Sequence, residues 1–360
     1  MLYQTANPHG GDLFGHTVNL DFSVNTNPLG TPESVMQAVV ESAGRLCQYP
    51  DPGCRELTAA LAAREGVPVE AILCGCGAAE LIYAYCGVIG KGGALLAVPT
   101  FSEYEAALEA AGLKAAHFHL RKEDGFAVTA EFLEELRQTS CQTVFLCNPN
   151  NPTGMLIEPG LLAEICSICK QRGIRLFLDE CFLELSDGGR EASMAEMLSS
   201  FPGLFILKAF TKNYGMAGLR LGYCLCKEEK LLAAMSRRAQ PWNVSLPAQF
   251  AGVAALKENS FLERARTLIQ EERPKMATNL EKIGFSVYPS QGNYLLFKSR
   301  IPLFLPLLER GILIRDCGNY VGLGEGFYRV AVKQPWENQK LLEALREVSA
   351  PASVNVKIDF

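Results

Sequence analysis

From residue 71 onward the chain alternates between two periodicities. Short runs that are apolar at nearly every position recur at 71–74, 94–98, 143–147, 175–179 and 204–207. Helical-period patterns fill the intervals at 79–89, 103–111, 130–138 and 161–172. Runs apolar on both faces predict buried strands, and strands joined by helices predict a mostly parallel sheet covered on both sides. A Gly-rich turn after 204–207 leads into another apolar run, 221–226, read as a further strand. Upstream, 32–46 has a helical pattern, with Thr31 placed to cap it and Pro32 at its first position. Beyond Pro247 one long helical pattern runs to about Glu272. It is followed by short strands at 285–288, 294–297, 312–314 and 328–332, with turns and two helices. The expected organisation is an α/β chain in three parts: an N-terminal arm (1–30), a large domain (31–250) and a small α+β domain (251–360). The arm is crowded with Asn, Gly and Pro, so it is expected to be irregular rather than a core element. The last ten residues read as a tail.

Composition narrows this picture. A chain of 360 residues exceeds what one core usually supports, and 48% hydrophobic content is ample for two. A net charge of -5 with both signs interspersed gives no nucleic-acid footprint. Thirteen cysteines would suggest disulfides in a secreted chain, but the N-terminus lacks a signal-peptide pattern, so reduced thiols and a cytoplasmic location are expected. Cys166 and Cys169 form a C-x-x-C on an amphipathic helix pattern with no second pair at zinc spacing, which favours core packing. With four scattered His residues, no metal is expected. No apolar run reaches 18 residues, so no membrane span is expected.

In sheets of this kind ligands bind outside the carboxyl ends of the strands. The notable polar residues fall there: the segment 75–80, Phe101, the segment 148–154, Asp179 and Lys212. Lys212 and Arg220 share one tight loop between two core strands. A partly desolvated Lys beside a second cation is a good imine-forming amine, and Arg holds phosphate through paired charge-assisted hydrogen bonds. Together they suggest pyridoxal phosphate (PLP), although two solvated loop cations would look the same. Gly75-Cys76-Gly77-Ala78-Ala79-Glu80 opens a helix after a strand and could cradle an anion. It lacks the third Gly and the downstream acid of a dinucleotide site. Asp179 ends an apolar strand and needs a positive partner, which a protonated pyridine would provide. Asn151 could donate to a phenolate oxygen, and Phe101 could stack on a ring. Arg315 and Arg329, at ends of small-domain strands, suit a substrate with two anionic groups, or are surface charges.

The ordered series N-P-N-N-P-T-G (148–154), D-E (179–180), T-K (211–212) and G-L-R-L-G-Y (218–223) resembles the fold type I PLP enzymes of the aspartate aminotransferase superfamily. The resemblance covers nearly the whole chain and implies a seven-stranded-type sheet in the large, PLP-binding domain. It also implies a homodimer with shared active sites. Two branches compete, the threonine-phosphate decarboxylases and the histidinol-phosphate aminotransferases. H-G-G-D (9–12), D-F-S-V-N-T-N-P-L-G (21–30), F-S-E-Y (101–104), D-E-C-F (179–182) and I-R-D-C-G-N-Y-V-G-L (314–323) look more like the decarboxylase. What the resemblance then implies is decarboxylation of L-threonine O-3-phosphate, with transamination of histidinol phosphate or a related amine as the alternative.

By position, it also implies that Lys212 bonds the cofactor aldehyde, Asp179 pairs with the pyridine nitrogen, Asn151 binds the phenolate oxygen and Phe101 stacks on the ring. Gly77, Ala78, Ala79, Thr211 and Arg220 would hold the cofactor phosphate, with Tyr49 reaching the phosphate of the neighbouring subunit. Arg329 would take the substrate carboxylate, while His9, Ser23, Asn25 and Arg315 surround its phosphate and Asn151 lies beside it. Three positions depart from the pattern. Asp12 stands where Asn is usual, Lys208 where Arg is common, and Ala209 where Ser or Thr often adds a hydroxyl. Cofactor affinity is therefore expected to lean on Arg220 and the helix start at Gly77.

Overall fold

A computed structural model describes residues 9–258 and 260–350. The expected tail at 351–360 lies outside the described residues. The first short strand is β1 (Leu20–Asp21), and a central sheet follows from β2 (Ile72–Gly75), β3 (Ala94–Val98), β4 (Ala115–His119), β5 (Thr143–Cys147), β6 (Arg175–Asp179), β7 (Leu204–Ala209) and β8 (Gly222–Cys226). Its order is β2-β8-β7-β6-β5-β3-β4. β4, β3, β5, β6 and β7 are mutually parallel, and β8 runs antiparallel to both β7 and β2. All strands but β8 therefore end at one edge. The mostly parallel α/β sheet matches the expectation. The sequence pattern did not reveal β4: it is an edge strand carrying His117 and His119, with no residue fully buried.

The pleat sorts the sheet's side chains into two cores. On β5, β6 and β7 the even-numbered Val144, Leu146, Leu176, Leu178, Leu204 and Ile206 face one layer. That layer includes α1 (Glu33–Ser42), α2 (Arg55–Glu65), α5 (Glu131–Gln138), α6 (Pro159–Arg172) and α9 (Leu246–Ala255). The odd-numbered Phe145, Phe177, Phe205 and Leu207 face α3 (Gly77–Cys86), α4 (Glu103–Ala110) and α8 (Glu229–Ser236). Phe145, Phe177 and Phe205 stack in a row at 4.5 and 4.9 Å, and Tyr85 and Tyr104 close over them. Cys166 and Cys169 are buried on α6, as packing residues.

After the short α7 (Phe210–Asn213) and α9 comes α10 (Phe261–Ile283). The single long helix expected from 247 to 272 is thus two helices: α9 ends at Ala255 with Leu256 as its C-cap, and α10 begins after Ser260, a residue type that favours helix ends over interiors. The chain then forms β9 (Ser286–Val287), β10 (Tyr294–Lys298), α11 (Phe304–Leu308), β11 (Ile312–Leu313), β12 (Arg315–Asp316), β13 (Phe327–Ala331) and α12 (Pro335–Ser349). An antiparallel sheet of order β12-β13-β10-β9 packs on α10 and α12 around a third apolar core.

Two local expectations are corrected. Part of the arm is core: Leu20 and Asp21 pair in parallel with Ile312 and Leu313, and Phe22 is fully buried. Thr31 does not cap α1; its hydroxyl donates instead to the Gly215 carbonyl at 2.9 Å, so no side chain caps that helix. This bond ties the end of the arm to the loop that carries Lys212.

Candidate functional site

The pocket opens where the parallel strands end, on the face of the odd-numbered side chains. Cys147 (β5), Asp179 (β6) and Ala209 (β7) form its floor. Lys212 follows one turn later, because β7 runs directly into α7 and the helical turn swings the amine over that floor. Its Nζ lies 5.6 Å from the centre of the Phe182 ring. Burial, reinforced by the Arg329 and Arg220 guanidiniums, brings its pKa down to about 8. A fraction of the amine is then neutral and nucleophilic near pH 7.

Asp179 is 5% exposed and accepts hydrogen bonds from the Tyr104 hydroxyl at 2.6 Å and the Cys181 N–H at 2.9 Å. Burial pushes this carboxyl up, while those donors and the Lys212 charge hold it down. Both donors are neutral, so a buried carboxylate here still calls for a cation.

The anion cradle depends on glycine at two positions. Gly77, which opens α3, has φ +79°, and a Cβ there would stand 2.6 Å from Nη2 of Arg220. At Gly222 a Cβ would meet the Ala78 N–H nitrogen at 2.6 Å. Only because both are glycine can the guanidinium and the β7–β8 turn close on the start of α3, whose free N–H groups favour an anion. Ala78, Ala79 and Thr211 line the pocket beside Arg220.

The opposite wall comes from the arm and the small sheet. One Arg329 nitrogen, Nη1, donates to Asn151 Oδ1, and Nη2 donates to the Ser23 carbonyl at 2.7 Å. Arg329 Nε and both amide atoms of Asn25 are buried without a hydrogen-bond partner. Arg315 Nη2 donates to Asn319 Oδ1 at 2.8 Å, and its guanidinium lies over the Tyr320 ring. His9, Ser23 and Phe101 complete the rim.

The structure therefore brings together His9, Ser23, Asn25, Ala78, Ala79, Phe101, Asn151, Asp179, Thr211, Lys212, Arg220, Arg315 and Arg329, with Gly77 against Arg220. Tyr49 is not among them: it is 77% exposed, stacked on Trp242 at 4.3 Å, and outside the pocket of its own chain. Lys208 is not a pocket residue either. Strand alternation turns it to the opposite face of the sheet, where it pairs with Glu65 at 2.8 Å and Glu180 at 3.6 Å. Asp12 is exposed and does not line the pocket, whereas Ala209 does. The sequence reading missed Tyr104, Cys147, Cys181 and Tyr320. The spacing of Phe101 and Tyr104, three residues apart where the chain enters α4, was the available signal for the first.

These side chains fit PLP: an amine poised for an aldehyde, a buried acid whose hydrogen-bond donors are neutral, an anion cradle shaped by glycine, and buried polar atoms of Asn25 and Arg329 without a hydrogen-bond partner. The family model described as "Aminotransferase class I and II" matches residues 17–345. The chain belongs to the aminotransferase class I and II family. PLP is the cofactor of this family, and its members are PLP-dependent enzymes. Among class I and II relatives, the chain is 37% identical to a threonine-phosphate decarboxylase of Salmonella typhimurium, covering 91% of each protein. It is 34% identical to a histidinol-phosphate aminotransferase of Methanosarcina mazei, covering 89% of this chain and 85% of that one. The fold superposes on the histidinol-phosphate aminotransferase of Clostridium acetobutylicum with a TM-score of 0.85, at 29% identity, over 92% of this chain and 99% of that chain.

Proposed function

We propose that this enzyme decarboxylates L-threonine O-3-phosphate, releasing CO2 and leaving the (R)-1-amino-2-propanol phosphate used in cobalamin assembly. The supporting observation is the pair of buried guanidiniums, Arg315 and Arg329, on the rim across from Arg220. With Arg220 committed to the cofactor phosphate, they provide for two further anionic groups, as a phosphorylated amino acid requires. The likeness to the Salmonella typhimurium decarboxylase supports the same reading.

When bound, PLP supplies an aldehyde for the substrate amine and a ring that accepts the electron pair left as the bond from Cα to the carboxylate breaks. Asp179 would hold the ring nitrogen in its charged form, Asn151 and Phe101 would hold the ring, and the α3 start with Arg220 and Thr211 would anchor the phosphate. Arg329 would grip the substrate carboxylate and orient it against the cofactor. Arg315, His9, Ser23 and Asn25 take the substrate phosphate. Lys212 Nζ returns the proton that Cα requires once CO2 has left.

The likeness to histidinol-phosphate aminotransferases, in sequence and in fold, favours a second reading, transamination. One assay separates them. The purified enzyme with PLP should release CO2 from L-threonine O-3-phosphate without consuming 2-oxoglutarate. Glutamate formation from histidinol phosphate and 2-oxoglutarate, with no CO2 release, would replace the first reading by the second. The enzyme is further proposed to work in the cytoplasm as a homodimer in which Tyr49 reaches the partner's cofactor phosphate.

A further inference from the structure

An acid with no part in holding cofactor or substrate stands behind the pocket-lining His9. Glu103, on the first turn of α4, accepts at Oε1 from His9 Nε2 at 2.7 Å and at Oε2 from the Tyr83 hydroxyl at 3.1 Å. Tyr83 belongs to α3, the helix whose start forms the anion cradle. The carboxylate thus joins three segments: the N-terminal arm, α3 and α4. The His9 ring lies 5.9 Å from the Phe101 ring, tilted by 48°, and lines the pocket. The arm next to it is held by Gly11 N–H donating to Ser23 Oγ at 2.8 Å, and Ser23 also lines the pocket. His9 and Glu103 side chains are 34% and 19% exposed, so the pair is shielded from full solvent screening. The hydrogen bond from His9 comes first among the influences that hold the Glu103 carboxyl below its usual range, as expected for a carboxylate engaged by a strong donor.

We propose that Glu103 is a positioning residue. By gripping Nε2 it fixes the imidazole plane over Phe101 and ties the arm down across the pocket. His9 is then held where the phosphate end of the substrate docks, and Tyr83 locks the carboxylate from the other side. Glu103 does not itself touch the substrate; its negative charge would oppose a phosphate, and it is spent on His9 and Tyr83. The proposal deepens the reading of the pocket as one for a phosphorylated amino acid and rests on it for the phosphate clause alone.

The test uses the PLP-loaded enzyme and the variants E103A, E103Q, H9A and H9A/E103A. Amide hydrogen exchange across residues 9–14, without substrate, reads the tether independently of any reaction. E103A should exchange there at least tenfold faster, and E103Q, which keeps an acceptor, should stand between E103A and the parent. Unchanged exchange in E103A overturns the tether. Affinity for L-threonine O-3-phosphate, followed through the cofactor absorbance, should fall about tenfold or more in E103A, with KM rising more than kcat falls. Affinity for unphosphorylated L-threonine should change much less. Equal losses for the two amino acids overturn the phosphate clause. H9A/E103A should bind the phosphorylated compound no worse than H9A, and additive losses would show that Glu103 does not act through His9. If the parent enzyme fails to bind L-threonine O-3-phosphate while E103A still frees the arm, the functional reading falls and the tether stands.

Discussion

A buried amine whose proton is held weakly must cost the folded protein stability, and the cost must depend on pH in a defined direction. In Lys212 the pKa falls from its ordinary 10.5 to about 8, chiefly by burial and then by the Arg329 charge. Below pH 8 both folded and unfolded chains carry the proton, and the folded state bears the full penalty, about 3 kcal/mol for a shift of this size. Between pH 8 and 10.5 the unfolded chain binds more protons than the folded one, so folding stability rises with pH and the penalty fades. Replacing Lys212 by Met removes the titration. In the PLP-free protein, K212M should therefore exceed the parent in unfolding free energy by up to about 3 kcal/mol at pH 7 and by about 1.5 kcal/mol at pH 9.5. Equilibrium urea unfolding at fixed protein concentration measures both values. Any packing difference between Met and Lys adds the same amount at each pH, so the change with pH is diagnostic. A gap that stays constant, or widens as pH rises, would refute a desolvated amine at this position and with it the proposed basis for imine formation by Lys212.

Four other perturbations address the surrounding parts. Tyr104→Phe removes a 2.6 Å donor from buried Asp179 and should weaken PLP binding about tenfold in a cofactor titration, with little change in thermal unfolding of the PLP-free protein. Gly77→Ala combines a Cβ at φ +79° with displacement of the Arg220 guanidinium, so PLP affinity should again fall about tenfold, whereas Gly66→Ala at the end of α2, remote from the pocket, should leave it unchanged. Lys208→Met strands Glu65 and Glu180 and should cost about 3–5 kcal/mol in urea unfolding, while Lys208→Arg recovers most of that loss. Tyr49→Phe should loosen PLP retention if the sites are shared between subunits, and a fully active monomer in sedimentation would dismiss the sharing.

Most of the α/β layer was legible from the sequence because strands buried on both faces read as continuous apolar runs. β5 and β6 were located to the residue. Where burial is one-sided the signal fades: β4 at the sheet edge shows only a mixed pattern, and the arm strand β1 is two residues long. The break between α9 and α10 escaped because both helices carry a compatible period on either side of four polar residues. The site was legible where a residue's place on a strand end sets its position, as at Asp179 and Lys212. It was opaque where the role depends on contacts between distant segments. Neither Tyr104 with Asp179, 75 positions apart, nor His9 with Glu103, 94 apart, has any local signature.

Lys208 and Lys212 show what separates the two cases. They stand four residues apart, and composition treats them alike. Lys208 is still on β7, where alternation places it with Leu204 and Ile206 on the even face, opposite Ala209. Glu180 is turned to that same face by its step past Asp179. Burial alone would lower the Lys208 pKa, yet the charges of Glu180 and Glu65 outweigh it and raise it, so this ammonium keeps its proton and serves the fold. Tyr223 adds its hydroxyl to Glu65 at 2.7 Å, extending the hydrogen-bonded cluster on that face of the sheet. Lys212 lies beyond the strand, where the turn of α7 brings it back over the odd face near the Arg329 and Arg220 guanidiniums, and there the opposing influences of Cys181 and Asp21 do not outweigh burial. Two similar side chains thus acquire opposite chemistry, because strand alternation fixes Lys208 among carboxylates on the even face while the helical turn of α7 carries Lys212 back over the odd face, among guanidiniums. Lys208 therefore stands in a structural ion pair on the face of the sheet turned away from the pocket.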